Sequence, residues 1–146
     1  MERKNKGISL LAIPLLAVMT LFSLAACDEG GGEDGTITVV LVNAGAEDGE
    51  VVLFAVFTPG GEPGVVEPLA FGGDVVSGGT AQDTVIDDNG AIRVFSAGTY
   101  DVFVIVDHDQ DDQPTNGEPY GKTTGVEVDG DITVELDYNT FTAWSW

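Results

Sequence analysis

From residue 36 onward, apolar side chains recur at alternate positions in short runs that Gly, Pro, Asn and Asp interrupt. Alternation puts successive side chains on opposite faces of an extended chain, which is the pattern of a half-buried strand. Residues 36–42 (TITVVLV) and 50–57 (EVVLFAVF) are rich in β-branched and aromatic types, and NAGAEDG between them supplies a turn. Pro59, Gly60, Gly61, Pro63 and Gly64 then stop the second run. The apolar stretch 65–71 is broken by Pro68, which predicts an edge strand or a loop. Runs at 80–86 and 91–95 flank Asp87-Asp88-Asn89-Gly90, predicting a hairpin on Asn89-Gly90 with Asp87 and Asp88 in turn chemistry. The strongest strand is 98–106 (GTYDVFVIV), with Tyr100, Val102, Val104 and Val106 on one face and Asp101, Phe103 and Ile105 on the other. Residues 122–128 lead to an Asp129-Gly130 turn, and 131–138 alternate with Ile132, Val134, Leu136 and Tyr138 inward. No segment after Gly35 carries a 3.6-residue apolar period. The expectation is an all-β domain over 36–146, an antiparallel sandwich of about seven strands with Greek-key connections.

The chain before that domain has a different composition. Arg3, Lys4 and Lys6 form a basic start, and 8–24 is almost wholly apolar. The run closes on Leu24-Ala25-Ala26-Cys27. Residues 28–35 (DEGGGEDG) are acidic, Gly-rich and without an apolar side chain, which predicts a flexible spacer of roughly 15 Å. The basic start, apolar run, L-A-A-C and polar spacer together resemble the precursor of a bacterial lipoprotein. That resemblance implies a signal peptide over 1–26, forming an N-terminal helix, and cleavage before Cys27. It also implies a lipidated Cys27 followed by a tether over 27–35. Acyl chains at Cys27 would hold the domain to a membrane, since each buried methylene contributes roughly 0.8 kcal/mol. The implied place is the cell envelope, facing either the periplasm or the cell surface.

Charge bounds the partners. Of 25 acids and five Lys or Arg, only Glu2 and the three early bases precede Cys27, so the remainder sets 24 acids against two cations, Arg93 and Lys122, a net −22. This balance argues against nucleic acid, whose binding needs basic side chains at phosphates. It also repels an anionic lipid surface and makes cations the natural counter-charge. The single cysteine leaves no internal disulfide, so stability must come from the core or a bound metal.

The acids are densest at 107–118 (DHDQDDQPTNGE). Asp107, Asp109, Asp111 and Glu118 fall at the first, third, fifth and twelfth positions of an EF-hand-type calcium loop, where hard oxygen donors converge on Ca²⁺. The sixth position is Asp112 where that loop needs Gly, and the eighth is Pro114. Strands rather than helices flank it. A solvated acidic loop is the other reading of the same residues. His108, between two acids, reads as exposed. Tyr120, Trp144 and Trp146 could stack on a sugar or peptide, but core closure or an end-of-chain patch is the reading the sequence favours.

Residues 98–137 resemble transthyretin-like, or prealbumin-like, modules of bacterial envelope proteins. The carriers are G-T-Y-D-V-F-V-I-V-D at 98–107, G-E-P-Y-G at 117–121 and D-I-T-V-E-L-D at 131–137. The resemblance implies a sandwich with a structural or binding role and transfers no ligand. One His, and only Ser77, Ser96 and Ser145 after the tether, poorly support a Ser-His-Asp set. There is no P-loop, no HExxH and no Cys/His zinc spacing. The expectation is a non-enzymatic envelope module, Ca²⁺-stabilised or not, with an envelope protein or a glycan as partner. The alternative is a carbohydrate- or peptide-binding module using the C-terminal aromatics.

Overall fold

A computed structural model describes residues 32–145. The expected signal helix, Cys27 and Trp146 lie outside them. Strands are the main regular structure of the described chain: β1 (Ile37–Val42), β2 (Val51–Phe57), β3 (Ala70–Val75), β4 (Ala81–Thr84), β5 (Gly98–Asp107), β6 (Pro119–Val128), β7 (Ile132–Asp137) and β8 (Thr142–Ala143). Single 3₁₀ turns follow β1 and β7, and no helix among the described residues is long and apolar enough to cross a membrane.

The strands form two sheets, ordered β4-β1-β7 and β3-β2-β5-β6-β8. Ile37, Val39 and Leu41 of β1, with Val134 and Leu136 of β7, face Val52, Phe54 and Val56 of β2 and Val102, Val104 and Val106 of β5 in one buried cluster. Each such aliphatic side chain contributes about 1.5–3 kcal/mol by leaving water, so this layer is the main source of stability. The chain runs β2, β3, crosses to β4 in the other sheet and then returns as β5 beside β2. A second cluster of Phe57, Phe103 and Trp144 covers part of the opposite face of β5, which is therefore buried on both sides.

Four features differ from the sequence reading. The described residues hold eight strands, because the short β8 pairs with the start of β6. The sandwich is not wholly antiparallel: β1 and β7 run parallel, Ile37 opposite Ile132 through Val42 opposite Asp137. Period-two alternation says which face is buried and nothing about strand direction. Residues 91–95 form no strand. The Asp87 carboxylate accepts the Asn89 and Ala91 N–H groups to make the turn, and the returning arm meets 86 only at the Ile86–Ile92 bridge. The folded domain also begins before 36. Gly35 bridges to Phe95, and Glu33 N–H donates to the Asp129 carboxylate at 2.8 Å, so the last residues of the expected tether are docked.

One carboxylate holds a place that main chain would otherwise fill. Asp101 is buried within β5, where the strand slips register against β6, and its oxygens accept Gly60 N–H at 2.8 Å and Gly125 N–H at 2.9 Å. Gly125 has φ +67°, a conformation that favours glycine, and this turns its N–H toward Asp101. The slip explains why an acid can sit in a central strand: it ties two irregular segments together.

Candidate metal site

The acidic loop connects β5 to β6, so its two ends are fixed by the β5–β6 pairing. Asp107 ends β5 and Glu118 immediately precedes β6; both are buried. Asp107 Oδ1 accepts Gln110 N–H at 2.7 Å and Asp111 N–H at 3.3 Å, and Oδ2 accepts Asp112 N–H at 3.0 Å. Glu118 Oε1 accepts His108 N–H at 3.0 Å and Oε2 accepts Thr115 N–H at 2.7 Å. A buried carboxylate is costly unless such donors surround it, and here the loop wraps its own N–H groups around both.

Asp107, Asp109 and Glu118 each present an oxygen within 4.8 Å of the other two. Of the four acids singled out by spacing, the fold thus gathers three. Asp111 stands outside the cluster, its Oδ1 accepting Gln113 N–H at 2.8 Å. Strict alternation would have carried it inward, but Gln110 takes φ +56° and breaks the extended run. Asp112 takes φ +60°, so the sharp turn for which a calcium loop uses Gly is made here by an aspartate, a residue type that tolerates this region. Asp109 is exposed at the loop surface. Its carboxyl is held above the usual aspartate range, first by loss of surrounding water and then by the charges of Asp111 and Asp107. No Lys or Arg among the described residues pairs with these acids; Lys122 lies 3.7 Å from Glu62 instead.

His108 is anchored, which its setting between two acids did not suggest. Its Nε2 lies 2.7 Å from Glu47 Oε2, and the Tyr138 hydroxyl donates to Glu47 Oε1. The Glu47 bond, then the charges of Glu47, Glu50 and Glu118, outweigh desolvation and raise the His108 pKa. Burial works against ionised Glu47, but the bonds from Tyr138 and His108 win and lower its pKa. Burial, then the Glu47 contact, pushes Tyr138 up to about 12. This bridge ties the acidic loop to the β1–β2 connection and to the turn after β7. Glu47 and Tyr138 are far apart in sequence, and no spacing rule joins them to His108.

The aromatic candidates are arranged for packing. Trp144 is 8% exposed and meets Tyr120 edge-on, with centroids 4.8 Å apart and planes at 88°. Its backbone also closes the loop base: Trp144 N–H donates to Glu118 O at 2.7 Å, and Gly117 N–H to Trp144 O at 2.9 Å. A sugar needs an open, flat aromatic face, and this pair does not offer one, because Trp144 fills the gap over Phe57 and Phe103.

These features define an all-β, two-sheet domain with a carboxylate cluster at one hairpin loop. No protein-family model matches the chain, and no curated protein or solved structure proved significantly similar to it.

Proposed function

We propose that the chain is a lipid-anchored envelope module, non-enzymatic and of prealbumin-like type, whose β5–β6 loop takes up Ca²⁺. The observation that carries the metal reading is the meeting of Asp107, Asp109 and Glu118 oxygens within 4.8 Å, two of the three side chains being buried. Buried anions with no Lys or Arg partner among the described residues gain most from a hard divalent cation, and carboxylate oxygens are its preferred ligands. Loop carbonyls and water would complete the six to eight oxygens Ca²⁺ takes. The anchoring reading rests on the L-A-A-C boundary and Cys27. The non-enzymatic reading is supported by the chain's one histidine, which bonds Glu47 rather than a nucleophile.

Two measurements test it. Expression of the full chain in a bacterium with labelled fatty acid should label the protein, and Cys27→Ser should remove the label; a labelled Cys27→Ser variant sinks the anchor. A chelator-treated fragment 32–146 should melt higher with Ca²⁺ than with a salt of matched ionic strength. Equal melting in both would mean the loop is a solvated turn only.

A further inference from the structure

The six exposed large apolar side chains among the described residues are not scattered. Val65, Val66, Phe71 and Val75 lie on β3 and the loop before it. Ile92 and Val94 lie on the 91–95 segment, which the Ile86 bridges connect to Phe71. Between the 62–68 loop and the tip of the acidic loop this face sinks into a groove of about 720 Å³. Its floor is the outer face of β2, β3 and β5, from Val51, Leu53, Phe71 and Ile105, and Pro63 and Pro114 stand in its opposite walls. Lone exposed apolar residues need no explanation, but a continuous patch with a formed depression marks an interaction surface.

Electrostatics selects the occupant. Asp83 and Asp112 line the groove, and no Lys, Arg or His does among the described residues. The chain after Cys27 carries −22. A second copy would bring the same charge and the same acidic rim, and an anionic lipid surface is repelled likewise. An occupant that complements the site must be apolar at its centre and basic at its edge.

The mode of contact is also constrained. An exposed edge strand ordinarily offers N–H groups to an incoming strand. On β3 the N–H groups turned away from β2 are taken. Phe71 N–H donates to Ile86 O at 3.0 Å, Gly73 N–H to Asp83 Oδ2 at 3.0 Å and Val75 N–H to Asp74 Oδ1 at 2.8 Å. The partner therefore meets side chains on the face of the sheet and does not extend the sheet.

We propose that this groove docks a basic, amphipathic polypeptide segment, whose apolar side chains seat on Leu53, Phe71 and Val66 and whose Lys or Arg residues meet Asp83 and Asp112. The proposal names the partner class of the binding module inferred above and does not depend on Ca²⁺. The test uses the full-length lipoprotein in detergent and three synthetic probes: a Ser-Lys-Leu repeat, a Ser-Lys-Gln repeat of equal charge and a Ser-Glu-Leu repeat of equal apolarity. The Ser-Lys-Leu peptide is expected to bind about tenfold more tightly than either control. A Val66→Ser/Phe71→Ser double variant, both sites being exposed and cheap to change, should lose about that tenfold. Its residual binding of Ser-Lys-Gln should be unchanged. Equal binding of both basic peptides, unaffected by the double variant, overturns the proposal in favour of diffuse charge attraction. Equal binding of Ser-Glu-Leu overturns the charge selection. A dimer in sedimentation that the double variant dissolves gives the face to a second copy and overturns the proposal too. The anchor and the Ca²⁺ response are read separately on the same protein, so their survival or loss is distinguishable from failure at the groove.

Discussion

The carboxylates of the β5–β6 loop divide into two kinds, and substitution should separate them. Asp107 and Glu118 are buried and between them accept five backbone N–H groups, whereas Asp109 is exposed and its charged form is disfavoured by its neighbours. Glu118→Gln keeps one oxygen for either His108 or Thr115 and turns an amide N–H₂ toward the other donor. That removes a charge-assisted bond and leaves a donor unsatisfied, a cost of about 2–4 kcal/mol. At very roughly 4 °C per kcal/mol for a domain of this size, the metal-free melting temperature should fall by about 8–16 °C. Asp109→Asn loses no bond to the backbone and relieves repulsion from Asp107 and Asp111. Its metal-free melting temperature should stay at the parent's. At Ca²⁺ a hundredfold above its Kd the parent should gain about 2.7 kcal/mol, or roughly 10 °C. Both variants should lose that gain. Thermal melts by circular dichroism, with chelator and with Ca²⁺, read all four numbers. A Ca²⁺ shift that survives in Asp109→Asn refutes the three-carboxylate site. A metal-free drop in Asp109→Asn as large as in Glu118→Gln refutes the division between fold and ligand.

Three further outcomes follow from the fold. Asp101→Ala takes the buried acceptor away from the Gly60 and Gly125 N–H groups, which belong to exposed residues, so urea unfolding should show a loss of about 1–3 kcal/mol; no measurable loss would mean water replaces the carboxylate. At Gly121 an added Cβ would overlap the Phe141 ring, so Gly121→Ala should cost about 1–3 kcal/mol, again by urea unfolding, with Gly121→Ala/Phe141→Leu partly restored. The His108–Glu47 bridge sets a pH window. His108 titrates above its ordinary 6.5 in the fold, so its contribution is complete below 6.5 and is lost as pH rises through the raised value. Glu47 titrates below 4.5, so its contribution is present above 4.5 and is lost as pH falls through the lowered value. His108 is partly exposed, so the effect should stay below about 1 kcal/mol, and His108→Asn should flatten the alkaline limb of a stability–pH profile.

The sequence by itself determined the all-β class, the inward faces of the strands and the ends of the acidic loop. Alternation at 37–42, 51–57 and 132–137 reads directly as buried and exposed sides, because the strand period is a property of the backbone. Pro68 and the glycines after Phe57 placed the break before β3 for an equally local reason: they restrict or free single backbone angles. What has no local cause was not legible. The parallel partnership of β1 with β7 joins segments far apart in sequence, and the bridge from His108 through Glu47 to Tyr138 joins three loops. For Trp144 the sequence left stacking and core closure both open, and its packing against Phe57 and Phe103 decides for the core. The candidate site shows both kinds of information at once. Spacing brought four acids to notice because ligand oxygens must recur at short intervals. Only the positive φ at Gln110, taken up while Asp107 gathers the loop's N–H groups, decided that Asp109 turns toward Asp107 and Glu118 while Asp111 turns away.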